Sequence, residues 1–143
     1  MIDSGRFSQF LYHVEPASKD GVSSTGHGAR NYDSGISTTT HNLIVKTGEK
    51  NLQDLCSIPE ECLLVTQLEG AAGCNPISGD ISIGVQGFHY KNGRRVQPVD
   101  SITIAGNFFD LLLNIREYGN QYQPNLSSRF IPALLVEGFS ISG

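Results

Sequence analysis

Ile81-Ser82-Ile83-Gly84-Val85-Gln86-Gly87-Phe88-His89-Tyr90-Lys91-Asn92-Gly93 is the most informative stretch of this 143-residue chain. Ile81, Ile83 and Val85 alternate with Ser82, Gly84 and Gln86, the period of a strand with one buried face. At Gly87 the apolar parity changes, and Phe88 and Tyr90 carry it on. A pattern that slips by one residue at a glycine reads as a β-bulge. Asn92-Gly93 tolerates positive φ at both centres of a type I′ turn, so a hairpin is expected there. The returning strand carries Val96, and Pro98 confines it to an edge or a bulge. Ile102 and Ile104 then resume alternation as the next strand.

Downstream, the apolar spacing predicts a helix from about Asn107 to Tyr118, with Phe108, Leu111, Leu112 and Ile115 on one face. Asn107 is placed to cap it, Asp110 sits in the first turn and Gly119 suits a left-handed C-cap. So apolar a helix is expected to be covered on more than one side. Ala133 to Val136 reads as a buried strand, with Phe139 and Ile141 alternating after it. Upstream, Leu43 to Val45 and Leu63 to Leu68 read as strands, the latter buried. A brief helix is expected at about 51–57, with Pro59 past its end. Residues 6 to 14 can form a strand in which Phe10 and Tyr12 alternate with Gln9, Leu11 and His13. From Ser18 to His41 there is hardly a large apolar group, so a long loop is expected unless something else holds it. Strands with segregated helices, lacking βαβ alternation, predict an α+β fold with mixed or antiparallel sheets. The expected organisation is a single domain over 1–143, with 18–41 as a loop and 42–143 as the packed body.

Composition narrows the function. Fourteen acids against ten bases give a net charge of −4, the wrong balance for holding nucleic acid by its phosphates. No apolar run of about 18 residues exists, so no membrane span is expected, and Met1 to Arg6 lacks the order of a signal peptide. Three cysteines at irregular spacing (Cys56, Cys62, Cys74) fit free thiols in a reducing cytoplasm. On that localisation the sequon Asn125-Leu126-Ser127 carries no meaning.

Chemical motifs are scarce. His13, His27, His41 and His89 stand far apart, with no zinc-type spacing; a metal site would have to gather distant groups such as His27, His41 and Cys74. Gly21-Val22-Ser23-Ser24-Thr25-Gly26 has the wrong spacing for a nucleophile elbow. Gly70, Gly73 and Gly79 lack the Gly-Lys-Ser/Thr of a phosphate loop. Cys74 in its loop is a candidate thiol nucleophile if a histidine partners it; otherwise it is a small, half-buried loop residue.

An ordered set of short motifs adds a resemblance. Ser24-Thr25-Gly26 with Ala29-Arg30, Leu64-Val65-Thr66, and Gly73-Cys74-Asn75-Pro76-Ile77-Ser78-Gly79-Asp80 come first. Gly87-Phe88, Asn92-Gly93, Pro98-Val99, Ile102-Thr103-Ile104-Ala105-Gly106-Asn107, Gly119-Asn120 and Leu135-Val136-Glu137-Gly138 follow. Together, from about Asp3 to Gly143, they resemble the C-terminal part of the TldD/PmbA family, the so-called modulators of DNA gyrase. The resemblance implies a cytoplasmic chain about three times as long, paired as a TldD–PmbA (TldE) heterodimer that encloses a channel and cleaves unfolded peptides at zinc. In TldD-type chains a His-Glu-x-x-x-His upstream and a cysteine soon after the Gly-Asn motif hold the metal. Here the segment Gln121 to Pro132 has no cysteine and the upstream region is missing. Both departures place the chain on the PmbA/TldE-like, non-catalytic side, although Cys74 stands where an aliphatic residue is expected.

The resemblance therefore implies a structural, partner-binding role with no cofactor in this chain and zinc only in a TldD-type partner. Polar positions expected to contact peptide or partner are Ser24, Thr25, Gly26, Asn107 and Asn120; the competing reading is backbone capping. Met1 falls inside what is one continuous domain in that family, so a truncated gene product or an excised piece is expected. Its exposed sheet edges favour self-association or a required partner. The alternatives are a stand-alone interaction module, a remnant without function, or a hydrolase built on Cys74.

Overall fold

The computed structural model describes residues 2–3, 6–70, 72–123 and 128–143, with backbone alone at Ile2 and Asp3. The sequon at Asn125 lies outside these. In chain order the elements are β1 (Ile2–Asp3), β2 (Arg6–Phe7), α1 (Val14–Lys19), β3 (Gly28–Ala29), β4 (Ser37–Thr38) and β5 (Leu43–Ile44). Next come α2 (Leu52–Cys56), β6 (Glu61–Glu69), β7 (Asp80–Lys91), β8 (Arg94–Asn107) and α3 (Phe108–Leu113). The chain closes with β9 (Ile115–Tyr122), β10 (Arg129–Phe130), β11 (Pro132–Val136) and β12 (Ser140–Ser142). Three short helices beside mostly antiparallel sheets make this an α+β fold. The chain divides into two compact units, Met1–Ile44 with Leu126–Phe130, and Val45–Asn125 with Ile131–Gly143.

The first unit differs from the expected strand and loop. The strand over 6–14 is reduced to β2, because Tyr12 spends its backbone on Thr25 rather than on a ladder. Helix α1 begins at Val14; Pro16 falls in its first turn, where no amide is needed, and Glu15 and Lys19 pair at 2.7 Å along its exposed side. Within 18–41, β3 and β4 form a two-pair antiparallel ladder. β5 pairs with β10 in parallel.

The second unit is built on the sheet β12-β8-β7-β6. The β7–β8 hairpin turns at Asn92 (φ 49°) and Gly93 (φ 72°), the conformation a type I′ turn requires. Against both neighbours β7 shifts register beside Gly87, the expected bulge. A Cβ at Gly87 would run into the Leu64 carbonyl, so only glycine lets β6 approach here. β8 is one continuous strand rather than two: its register slips around Val96 and at Ser101 (φ 55°) absorb the change of parity. Pro98 pairs with Phe88 on β7, and β12 covers only Thr103 to Ala105 on the opposite edge, so no ladder bond is lost. Val85, wholly buried, and Ile83 form the centre of this sheet's core, and Leu55 and Cys56 are buried on α2.

Further expectations need correction. The helix of 107–118 stops at Leu113, and Ile115–Tyr122 is β9, antiparallel to β11. The helical spacing runs on through residues whose β-branched and aromatic side chains instead pair across strands (Ile115 with Val136, Tyr118 with Leu134). Asn114 ends the helix, its side-chain amide donating to the Asp110 carbonyl at 2.9 Å. Gly119 is accordingly no C-cap but a buried strand residue beside Ala133. Nor is α3 covered: none of its residues is buried, and Phe108, Phe109, Leu112 and Leu113 are exposed. β6 is an edge strand rather than a buried one, with Leu68 57% exposed.

Candidate functional site

Ser24, Thr25 and Gly26 converge on one backbone position. The Tyr12 amide donates to Thr25 Oγ1 at 2.7 Å, and the Tyr12 carbonyl accepts from the Thr25 hydroxyl at 3.1 Å and from the Ser24 hydroxyl at 3.3 Å. The amides of Thr25 and His27 add bonds to the same carbonyl, and Gly26 turns back with its amide on Ser24 Oγ. The Gly26 carbonyl faces His41 Nε2 at 3.3 Å, and the His27 and His41 rings stack 5.8 Å apart. These hydroxyls hold a loop too polar to fold by burial.

Asn107 and Asn120 lie in the second unit and share no hydrogen-bond partner. Asn107 Oδ1 accepts the Phe109 amide at 2.9 Å as the N-cap of α3. Its Nδ2 donates to the Ser78 carbonyl at 2.9 Å and to Asp80 Oδ1 at 3.0 Å. Asp80 also accepts from the Ser78 hydroxyl at 2.6 Å; this bond, and then that of Asn107, hold its carboxyl below the usual range. Asn120 lies on β9, its backbone amide bonded to the Lys50 carbonyl and its side chain to that of Glu49.

Cys74 is exposed, and the open hollow around it is lined by residues 72–76 and 80–82, with no histidine among them. Among the described residues, no three His, Cys, Asp or Glu side chains gather as a metal-holding group. His27 and His41 do meet, but Cys74 belongs to the other unit. No described helix is long and apolar enough to cross a membrane.

One more feature of the second unit is not legible in the sequence as a site. A groove of about 760 Å³ runs between the four-stranded sheet and α2 with the β9–β11 ribbon. Leu55, Ile104, Leu134 and Phe139 contribute apolar lining, and Cys62 to Val65 of β6 form one wall. Glu61, Arg116, Glu117 and Glu137 also line it; Arg116 pairs with Glu137 at 2.8 Å and Glu117 with Lys50 at 2.6 Å. Beside this wall, the outer edge of β6 has no ladder partner among the described residues.

Known proteins share this fold. Residues 1–143 match the family described as PmbA/TldA metallopeptidase C-terminal domain. The chain belongs to the TldD/PmbA family. The metalloprotease PmbA of Escherichia coli O157:H7 is 34% identical over 137 residues, 96% of this chain and 28% of that protein. A metalloprotease PmbA homolog of Haemophilus influenzae is 33% identical over 148 residues, covering all of this chain and 30% of its own. Among solved structures, TldE from Thermococcus kodakarensis superposes with a TM-score of 0.88 at 27% identity, over 99% of this chain and 33% of that one. A protein of Thermotoga maritima described as a modulator of a DNA gyrase gives 0.84 at 33% identity, over 99% and 32%. The chain thus spans under a third of the PmbA proteins it matches. Within the TldD/PmbA family the match is to the C-terminal part.

Proposed function

We propose that this chain is a non-catalytic part of a TldD/PmbA-type zinc metallopeptidase complex acting on unfolded peptides. Its role is to bind a TldD-type chain, close the peptide channel and offer a strand edge to the substrate. The observation that carries the reading is the nine-residue edge of β6 lying along the apolar groove. An unpaired edge presents a row of backbone donors and acceptors on which an extended peptide can add as a further strand. Such recognition reads the peptide backbone, so it suits substrates defined by being unfolded rather than by sequence. Family membership supplies the link to metallopeptidase chemistry. In this reading the zinc belongs to the TldD-type partner.

The test is co-expression with a TldD-type chain bearing His-Glu-x-x-x-His, followed by size-exclusion chromatography, zinc analysis and hydrolysis of an unstructured peptide. The expected result is a stoichiometric, zinc-containing complex whose hydrolysis falls when Val65 on the β6 edge is replaced by proline, with the complex still forming. Two chains that elute separately, with hydrolysis indifferent to this one, would overturn the proposal.

A further inference from the structure

Cys56 and Cys62 stand either side of the four-residue connection between α2 and β6, and both face the groove. Cys56 closes α2 and is 5% exposed, whereas Cys62, the second residue of β6, is half-buried. The Cys62 thiol donates to the Cys56 carbonyl at 3.8 Å, and this contact holds the two cysteines beside each other. A sulfur held against the backbone of the residue carrying the other sulfur puts the pair in the close neighbourhood that a disulfide requires. We propose that Cys56 and Cys62 are a modification site, a dithiol that small disulfide oxidants convert reversibly into a disulfide tying α2 to β6 at the wall of the groove.

The chemistry balances with the oxidant named. The Cys62 thiol, the more open of the two, loses its proton and attacks one sulfur of a low-molecular-weight disulfide. That S–S bond breaks, one small thiol leaves, and a mixed disulfide remains on Cys62. The Cys56 sulfur, deprotonated in turn, attacks the Cys62 sulfur and expels the second small thiol. Two protein thiols are oxidised, one small disulfide is reduced to two thiols, and both protons end on them. Burial pushes both protein thiols up, Cys56 to about 11, so the reduced pair is protonated at neutral pH and closure accelerates as the pH rises.

The experiment uses the full chain carrying Cys74→Ser, which removes the exposed competing thiol. The protein is incubated with oxidised glutathione, acid-quenched and measured by intact mass spectrometry. The expected product has lost two hydrogens and remains monomeric. Cleavage after Glu60 or Glu61, between the two cysteines, should give fragments that separate only on reduction. Closure should quicken severalfold from pH 7.5 to 8.5, and dithiothreitol should reverse it. In Cys56→Ser and Cys62→Ala the loss of two hydrogens should vanish; using both variants guards against one failing to fold. A stable glutathione adduct on either cysteine, a disulfide-linked dimer, or two thiols that persist through the incubation would each overturn the assignment.

Discussion

Replacing Asn107 by alanine separates the two roles open to that side chain. Alanine removes the Oδ1 acceptor that caps the Phe109 amide and the Nδ2 donor that ties the start of α3 to Ser78 and Asp80. An N-cap is worth about 1 kcal/mol. Two partly exposed hydrogen bonds add about 0.5 kcal/mol each. The sum is about 2 kcal/mol, and near 3 °C per kcal/mol for a chain of this size the melting temperature should fall by about 6 °C. Asn107→Ser keeps an acceptor for the cap and should lose about half of that. Asn107→Asp keeps the acceptor but sets a second carboxylate where Asp80 stands 3.0 Å from Nδ2, so it should be worse at pH 7 than at pH 3. Calorimetry of the three variants, run beside the partner-binding assay, decides between the roles. An alanine variant that melts within 1 °C of the parent yet no longer binds the TldD-type chain would refute the capping argument and make Asn107 a contact residue.

Further outcomes follow from burial and charge. Val85→Ala deletes two methyl groups at a wholly buried position and should cost about 2 to 3 kcal/mol in denaturant unfolding, whereas Ile77→Ala, at 91% exposure, should cost under about 0.5 kcal/mol. Iodoacetamide should alkylate exposed Cys74 first and Cys56 last. A thiol pushed to about 11 is ionised to about one part in a thousand at pH 8, against about a quarter for an ordinary thiol; equal rates at Cys56 and Cys74 would count against this packing. Asp80 has a depressed folded pKa, so its contribution is complete above the unfolded value near 4 and is lost as pH falls through the lower folded value. Melting curves taken from pH 5 down to 2 should show this acid-side loss in the parent and less of it in Asp80→Asn.

The parts of the fold that could be read in advance are those where local and tertiary preferences agree. The Asn92-Gly93 turn needs positive φ wherever it occurs, and the glycine at 87 is dictated by the Leu64 carbonyl pressing on it. Asn107 as a cap was legible for the same reason, since its acceptor serves its own chain two residues on. Ile115 and Tyr118 mislead because apolar residues three apart suit a helical face, and the decision is made by β11, which lies elsewhere in the sequence. The polar run 18–41 concealed its order because hydroxyl-to-backbone bonds on Tyr12 leave no apolar pattern. The groove was illegible for another reason. Its wall residues are ordinary strand apolars, and only the topology shows that β6 has no neighbour on its outer edge among the described residues.

What the polar candidates do inside the chain bears on how it would meet a partner. Ser24, Thr25, Asn107 and Asn120 all bond to backbone groups of their own unit, and the Gly26 amide donates to the Ser24 hydroxyl. By contrast, the second unit buries few apolar side chains among the described residues: Leu55, Cys56, Ile83, Val85 and Pro132. The same unit leaves Phe108, Phe109, Leu112 and Leu113 of α3 exposed. A core this thin stabilises weakly, because the free energy of burial scales with the apolar area removed from water. Covering the exposed side chains and filling the groove would add the area that is lacking. Partner binding, in the proposed role, would therefore also stabilise the fold by mass action. Under that coupling the melting temperature of this chain should climb with the concentration of a TldD-type partner well past equivalence, and a temperature that stays flat through the titration would sever the link between the open core and the interface.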